Sequence, residues 1–198
     1  MHMLGVSGAF VGAIMLMVWT FGQVSGGQTF AIIVYGVGLI ATFLASAFYN
    51  MTPWEDIRPV LRRIDHAAIY LKISATYTPL VVMIGSLSAY VILATVWALA
   101  VFGMVRKLFF WQTPGRLGAV LYLIMGWLSV AIIWQMVSIL PTTATALIVA
   151  GGLLYSIGVI FYSWKGLKFS RAIWHGFVVA ASACFYAAIM LGVSDLVV

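Results

Sequence analysis

Four stretches of this chain contain no Asp, Glu, Lys or Arg: Met1 to Trp54, Ile73 to Val105, Leu117 to Trp164, and Ala172 to Ser194. A helix needs about 20 apolar residues to cross the hydrocarbon core of a bilayer. The four stretches therefore hold seven crossings with little chain left over. Hydrophobic residues make up 65% of the 198 and charged residues 7%, against roughly 25% charged in a soluble domain, whose surface must stay wet. Ten Lys and Arg with four Asp and Glu cannot cover a water-soluble globule of this size. A β-barrel would need strands of about 10 residues that alternate apolar and polar. Val91 to Leu99 and Ala146 to Leu154 are continuous apolar runs instead. The fold class is all-α, an integral membrane bundle of seven transmembrane helices, with residues 1–198 as one membrane domain.

Turn signals divide the runs. They predict helices over residues 3–22, 29–50, 65–85, 88–105, 117–138, 142–164 and 172–193. Thr52 to Ile64, with two prolines and two of the four acidic residues, reads as the first polar loop; Arg106 to Arg116, broken at Pro114-Gly115, and Trp164 to Arg171 read as the others. Arg58, Arg62 and Arg63, then Arg106, Lys107 and Arg116, then Lys165, Lys168 and Arg171 all fall in alternate connections. The three intervening loops have no Lys or Arg. The positive-inside rule makes the basic side cytoplasmic, which puts the N-terminus inside and the C-terminus outside. Trp54, Trp111, Trp164 and Trp174 fall at the same boundary, as an aromatic belt requires. The net charge of +6 thus reports topology, with the lipid bilayer as partner and no nucleic acid. The lone Cys184 excludes an intrachain disulfide. No basic region precedes the first apolar run, so a cleavable signal peptide is not expected. No internal repeat supports an inverted-repeat transporter.

Polar groups at membrane depth are costly, and each is a site hypothesis. Thr42, Ser46 and Asn50 recur every fourth residue on one face of the second helix. Asp65 and His66 open the third helix at the same level, and Arg171 and His175 lie one turn apart at the start of the seventh. His2 opens the first. Each has a plain alternative. Thr42 and Ser46 suit hydrogen bonds to neighbouring helices or their own backbone. Asp65 suits a helix N-terminus. Arg171 suits a topology charge, and His2 and His66 suit solvated interfacial positions. His175, a full turn inside its helix, is the hardest to explain that way. Lys72, two turns deeper than Asp65, either snorkels toward water or pairs with Asp65 in the interior.

Several of these residues stand in longer motifs. Ser46-Ala-Phe-Tyr-Asn50, Leu61-Arg-Arg-Ile-Asp-His-Ala-Ala-Ile-Tyr70 and Ala75-Thr-Tyr-Thr-Pro79 resemble the haemolysin III family. Met125-Gly-Trp127, Gly151-Gly-Leu-Leu-Tyr155 through Tyr162, and Ala172-Ile-Trp-His175 continue the resemblance in order. The family is bacterial, related to the progestin and adipoQ receptors (PAQR), and shares a seven-helix fold with alkaline ceramidases. The resemblance implies a zinc site at the cytoplasmic ends of the second, third and seventh helices. In hydrolytic relatives a zinc-bound water, helped by a serine and an aspartate, cleaves a lipid amide; zinc lowers the pKa of such a water to about 7.

Carried over by position, the resemblance makes Ser46 and Asp65 the catalytic pair of any activity and His175 a metal ligand. Asn50 stands where the helix-2 histidine belongs, Arg171 where the first helix-7 histidine belongs, and Phe185 where a deeper one belongs. Catalytic zinc normally has three protein ligands, and neither an amide nor a guanidinium replaces an imidazole. Unless His2 or His66 substitutes, zinc is expected to be absent or weak. The family's acidic residue ahead of a histidine like His2 is not in this chain, which begins after that point. The expected function is a haemolysin III-like inner-membrane protein with a degenerate zinc site, acting in membrane homeostasis or in sensing a lipid or small-molecule ligand. The alternatives are a ceramidase-like amide hydrolase with a rearranged site, a small transporter or channel around Asp65 and Lys72, and the cytolysis that the family name implies.

Overall fold

The computed structural model describes residues 2–110, 117–164 and 166–197. Trp111, Pro114, Gly115, Arg116 and Lys165, all part of the reading of the basic connections, lie outside them. The described elements are helices: α1 (His2–Thr20), α2 (Gly26–Met51), α3 (Arg58–Ile84), α4 (Leu87–Phe109), α5 (Leu117–Trp127), a 3-10 stretch (Leu128–Ile132), α6 (Ile133–Ile139), α7 (Thr142–Ser163) and α8 (Ser170–Val197). Seven crossings are long and apolar enough for a bilayer, the fifth being Gly118–Ile139 with the 3-10 stretch inside it. Outward faces carry large exposed side chains such as Leu4, Val18, Phe30, Leu87 and Ile160. Lipid accommodates such faces, whereas water would not. The chain divides into two compact units, His2–Ile132 and one that begins at Ile133.

Local chemistry accounts for the helix ends. Ser25 caps α2 through a reciprocal pair: the Gln28 amide donates to Ser25 Oγ at 3.3 Å, and the Ser25 amide to Gln28 Oε1 at 2.9 Å. Ser25→Ala is expected to cost about 1 kcal/mol; faster hydrogen exchange at the Gln28 amide, with the rest of α2 still protected, checks it. Gly85 ends α3 at φ 69°, a left-handed conformation that suits glycine, and Ser86 caps α4 by accepting from the Ala89 amide. Arg106 and Lys107 occupy the last turn of α4, where the helix dipole favours cations.

One boundary departs from the expected one by two turns. Helix α3 begins at Arg58, not near Asp65, and the connection after α2 is correspondingly short. The charged and proline-bearing segment was expected to be a loop. Pro59 instead sits in the first turn, where its missing N–H costs nothing and its fixed φ fits a helix. Arg58, Arg62 and Arg63 therefore project from the start of a helix. Asp65 and His66 lie two turns inside it, so Asp65 does not sit at a helix N-terminus.

In the larger unit α3 is central, packed against α2 and α4, while α1 packs on α2. Helices approach closely where a residue lacks a side chain, as membrane bundles commonly do. A Cβ on Gly38 would strike the Ala75 methyl, and one on Gly103 would meet the Tyr70 ring. The 3-10 stretch of the fifth crossing is held from α3: the buried Tyr77 hydroxyl is shared between the carbonyls of Met125 and Gly126, both at 2.8 Å. Ser129 adds a bond to the Gly126 carbonyl at 3.0 Å. In the smaller unit α7 and α8 pack along each other, with Gly151 under the Phe185 ring and Gly158 against Phe177 and Trp174.

Candidate functional site

The stripe on α2 faces α3. Gly38 makes the close approach. One turn on, the buried Thr42 hydroxyl reaches two carbonyls, Gly38 O at 2.7 Å and Ala68 O at 3.0 Å. Thr42 thus bonds its own helix and its neighbour, the plain role expected of it. It also sets the register of α2 against α3. A further turn along, Ser46 is 9% exposed and hydrogen-bonds the Asp65 carboxyl. Asn50, the next residue of the stripe, turns its amide inward: Nδ2 donates to Ser46 O at 2.8 Å and lies 3.5 Å from Ser46 Oγ. Ser46, Asp65 and Asn50 form one small polar cluster at the basic end of the bundle.

The other candidates sit as follows. His66 is half-buried beside Asp65 in sequence, and its backbone carbonyl accepts from the Tyr122 hydroxyl at 2.9 Å, tying α5 to α3. His2 is half-buried at the start of α1. In the smaller unit, His175 is half-buried and Arg171 exposed in the first turn of α8. Phe185 packs on Gly151 and stacks on Tyr155, ring centroids 6.0 Å apart. Among the described residues, no three His, Cys, Asp or Glu side chains come together as a metal would need.

Lys72 is interior, at 7% exposure, with Nζ 4.8 Å from the centroid of the Phe43 ring. A cation over an aromatic face is stabilised by the ring quadrupole, most of all where water is excluded. The sequence contained both partners, but nothing in it announced the pair. The same is true of Tyr122 and of Tyr77, whose partners are backbone carbonyls about fifty positions away in the chain. Such bonds leave no motif.

Chemically, Ser46 and Asp65 are a nucleophile-type hydroxyl beside a carboxylate. A serine needs a base poised near neutrality to lose its proton. The pair is suited to orienting a ligand or a water, and to catalysis only with a strong electrophile beside it.

The model of the family described as "Haemolysin-III related" matches residues 1–186. The chain is 33% identical to the "Hemolysin-3 homolog" of Bacillus subtilis (strain 168) over 93% of its own length and 87% of that protein. It is 37% identical to "Hemolysin-3" of Bacillus cereus over 79% of its length and 72% of that protein. The human "Monocyte to macrophage differentiation factor" is 29% identical over 79% of this chain and 67% of that protein. With its seven crossings and this match over nearly its whole length, the chain belongs to the haemolysin-III-related family of multi-pass membrane proteins.

Proposed function

We propose that this protein resides in the bacterial inner membrane and serves a regulatory or structural role in membrane homeostasis or lipid sensing, through a Ser46–Asp65 centre that has lost the zinc of hydrolytic relatives. The observation that carries the reading is the posture of Asn50. It stands where those relatives place a ligating histidine, and its Nδ2 is engaged in hydrogen bonds to Ser46 on its own helix. An amide ligates through its neutral oxygen, a weak donor for a metal that prefers imidazole, thiolate and carboxylate. The exposed Arg171 is a cation and no ligand either. The donor set does not fit a catalytic zinc. What remains is a hydrogen-bonding group at the mouth of the bundle, which binds rather than cleaves. The lysis implied by relatives named hemolysin belongs to those proteins.

Zinc analysis of the purified full chain tests this. Wild-type protein is expected to carry far less than one zinc per chain, and the double substitution Asn50→His/Arg171→His to raise that value toward one. Stoichiometric zinc in the wild type, lost on His175→Ala, would overturn the reading in favour of a lipid amide hydrolase.

A further inference from the structure

At the basic end of the larger unit, the last turn of α2, the short connection and the first turns of α3 line an open cavity of about 250 Å³. Its walls are Tyr49, Glu55, Arg58, Pro59, Arg62 and Arg63. Positions 58, 59, 62 and 63 share one face of α3 by helical spacing. Three guanidinium groups meet a single carboxylate there. Arg58 is committed, with Nη2 donating to the Thr52 carbonyl at 2.9 Å and Nη1 lying 3.1 Å from Glu55 Oε1. That fork pins the connection and neutralises one charge. Arg62 and Arg63 are half-buried, and Arg62 lies close enough to Lys107 for their charges to oppose each other. The Nε–H of Arg63 is buried with no acceptor among the described residues.

The positive-inside rule does not require this arrangement. Topology is served equally well by lysine and by side chains out in water. Arginines gathered around a concavity supply planar forks that match two oxygens of a phosphate at once. The volume falls below the roughly 300–1,000 Å³ of pockets for drug-sized molecules, so it suits a headgroup and not a whole lipid. The same segments expose Phe48, Met51, Trp54, Ile57, Val60 and Ile64. Trp54, at 67% exposure, is placed as an interfacial anchor. A recess at the basic ends of two membrane-crossing helices lies at the level of lipid headgroups, where a lipid phosphate is at hand.

We propose that this cavity binds the phosphate of an anionic phospholipid of the cytoplasmic leaflet, with Arg62 and Arg63 as the recognising forks. The site is built from residues other than Ser46, Asn50 and Asp65 and goes beyond the function proposed for them. It holds whether or not that cluster binds anything.

The test uses the full chain in mild detergent, titrated separately with phosphatidylglycerol, phosphatidylcholine and inorganic phosphate, with bound lipid read by native mass spectrometry. Wild-type protein is expected to prefer phosphatidylglycerol over phosphatidylcholine by about ten-fold or more, as about two juxtaposed basic side chains supply. Arg62→Gln/Arg63→Gln should abolish the preference, and Arg106→Gln/Lys168→Gln, which removes the same charge elsewhere, should keep it. Equal loss in both pairs would mean general surface charge and overturn the proposal. Displacement of the lipid by inorganic phosphate at equal concentration would assign the site to a soluble anion and overturn it too. If the glutamine pair does not fold, Arg62→Lys/Arg63→Lys decides. That variant keeps the charge and the fold, and a loss of most of the preference supports the forks. Full retention of the preference refutes them.

Discussion

Gly38→Leu is expected to destabilise the larger unit by about 3 kcal/mol, the upper end of what overpacking a tight contact costs. Even the first carbon of the new side chain collides with the Ala75 methyl and lies 3.6 Å from the Leu71 carbonyl. Backbone and a methyl on its own Cα cannot rotate away, so α2 and α3 must separate. The Thr42 bond to Ala68 O breaks with them, and Ser46 is drawn off Asp65. Thermal unfolding in detergent measures the loss. A milder pair gives the sharper check: Gly38→Ala should cost about 1–3 kcal/mol, and Ala75→Gly should restore much of it. If Ala75→Gly gives no rescue, the close approach is not where the energy lies. Any ligand binding that depends on the Ser46–Asp65 pair should fall in Gly38→Ala and recover in the double variant.

Tyr77→Phe is the second large effect, expected at about 2 kcal/mol. The substitution keeps the ring and removes only the hydroxyl, which in this buried position serves two carbonyls immediately before the 3-10 stretch. Tightening a helix from α to 3-10 gives poorer hydrogen-bond geometry, and a side-chain donor from α3 compensates for it. Loss of that donor should speed hydrogen exchange across 125–132 more than elsewhere in the larger unit. Ser129→Ala removes the other hydroxyl on Gly126 O. The two substitutions share an acceptor, so their effects should deviate from additivity by about 0.5 kcal/mol or more. Strict additivity, with exchange unchanged at 125–132, would show that the 3-10 stretch stands without α3.

How far the site could be read in advance differs from residue to residue. Thr42, Ser46 and Asn50 were legible as a stripe, because a four-residue recurrence of polar groups in an apolar helix has a geometric meaning. The association of Ser46 with Asp65 came from the family resemblance, and in the structure the two side chains are hydrogen-bonded. The start of α3 was not legible. Two prolines and a run of charges look like a loop, and only Pro59 in the first turn shows that one of them opens a helix. The arginine cavity was hidden for the same reason, because Arg58, Arg62 and Arg63 share a face only once the segment is helical. The interior place of Lys72 was equally hidden: snorkelling and burial are both open to a long side chain until Phe43 is seen beneath it.

Charge-free runs long enough to cross a bilayer were enough to determine the class of fold and the number of crossings, and basic residues confined to alternate connections carry the reading of which side faces the cytoplasm. Those properties depend on the solvent, and hydropathy is a one-dimensional record of solvent. Which helices touch, where a missing side chain lets two backbones meet, which carbonyls Tyr77 and Tyr122 serve, and which arginines wall a cavity were decided only in three dimensions. Contacts between residues distant in the chain follow from packing, and packing leaves no periodic trace along the sequence.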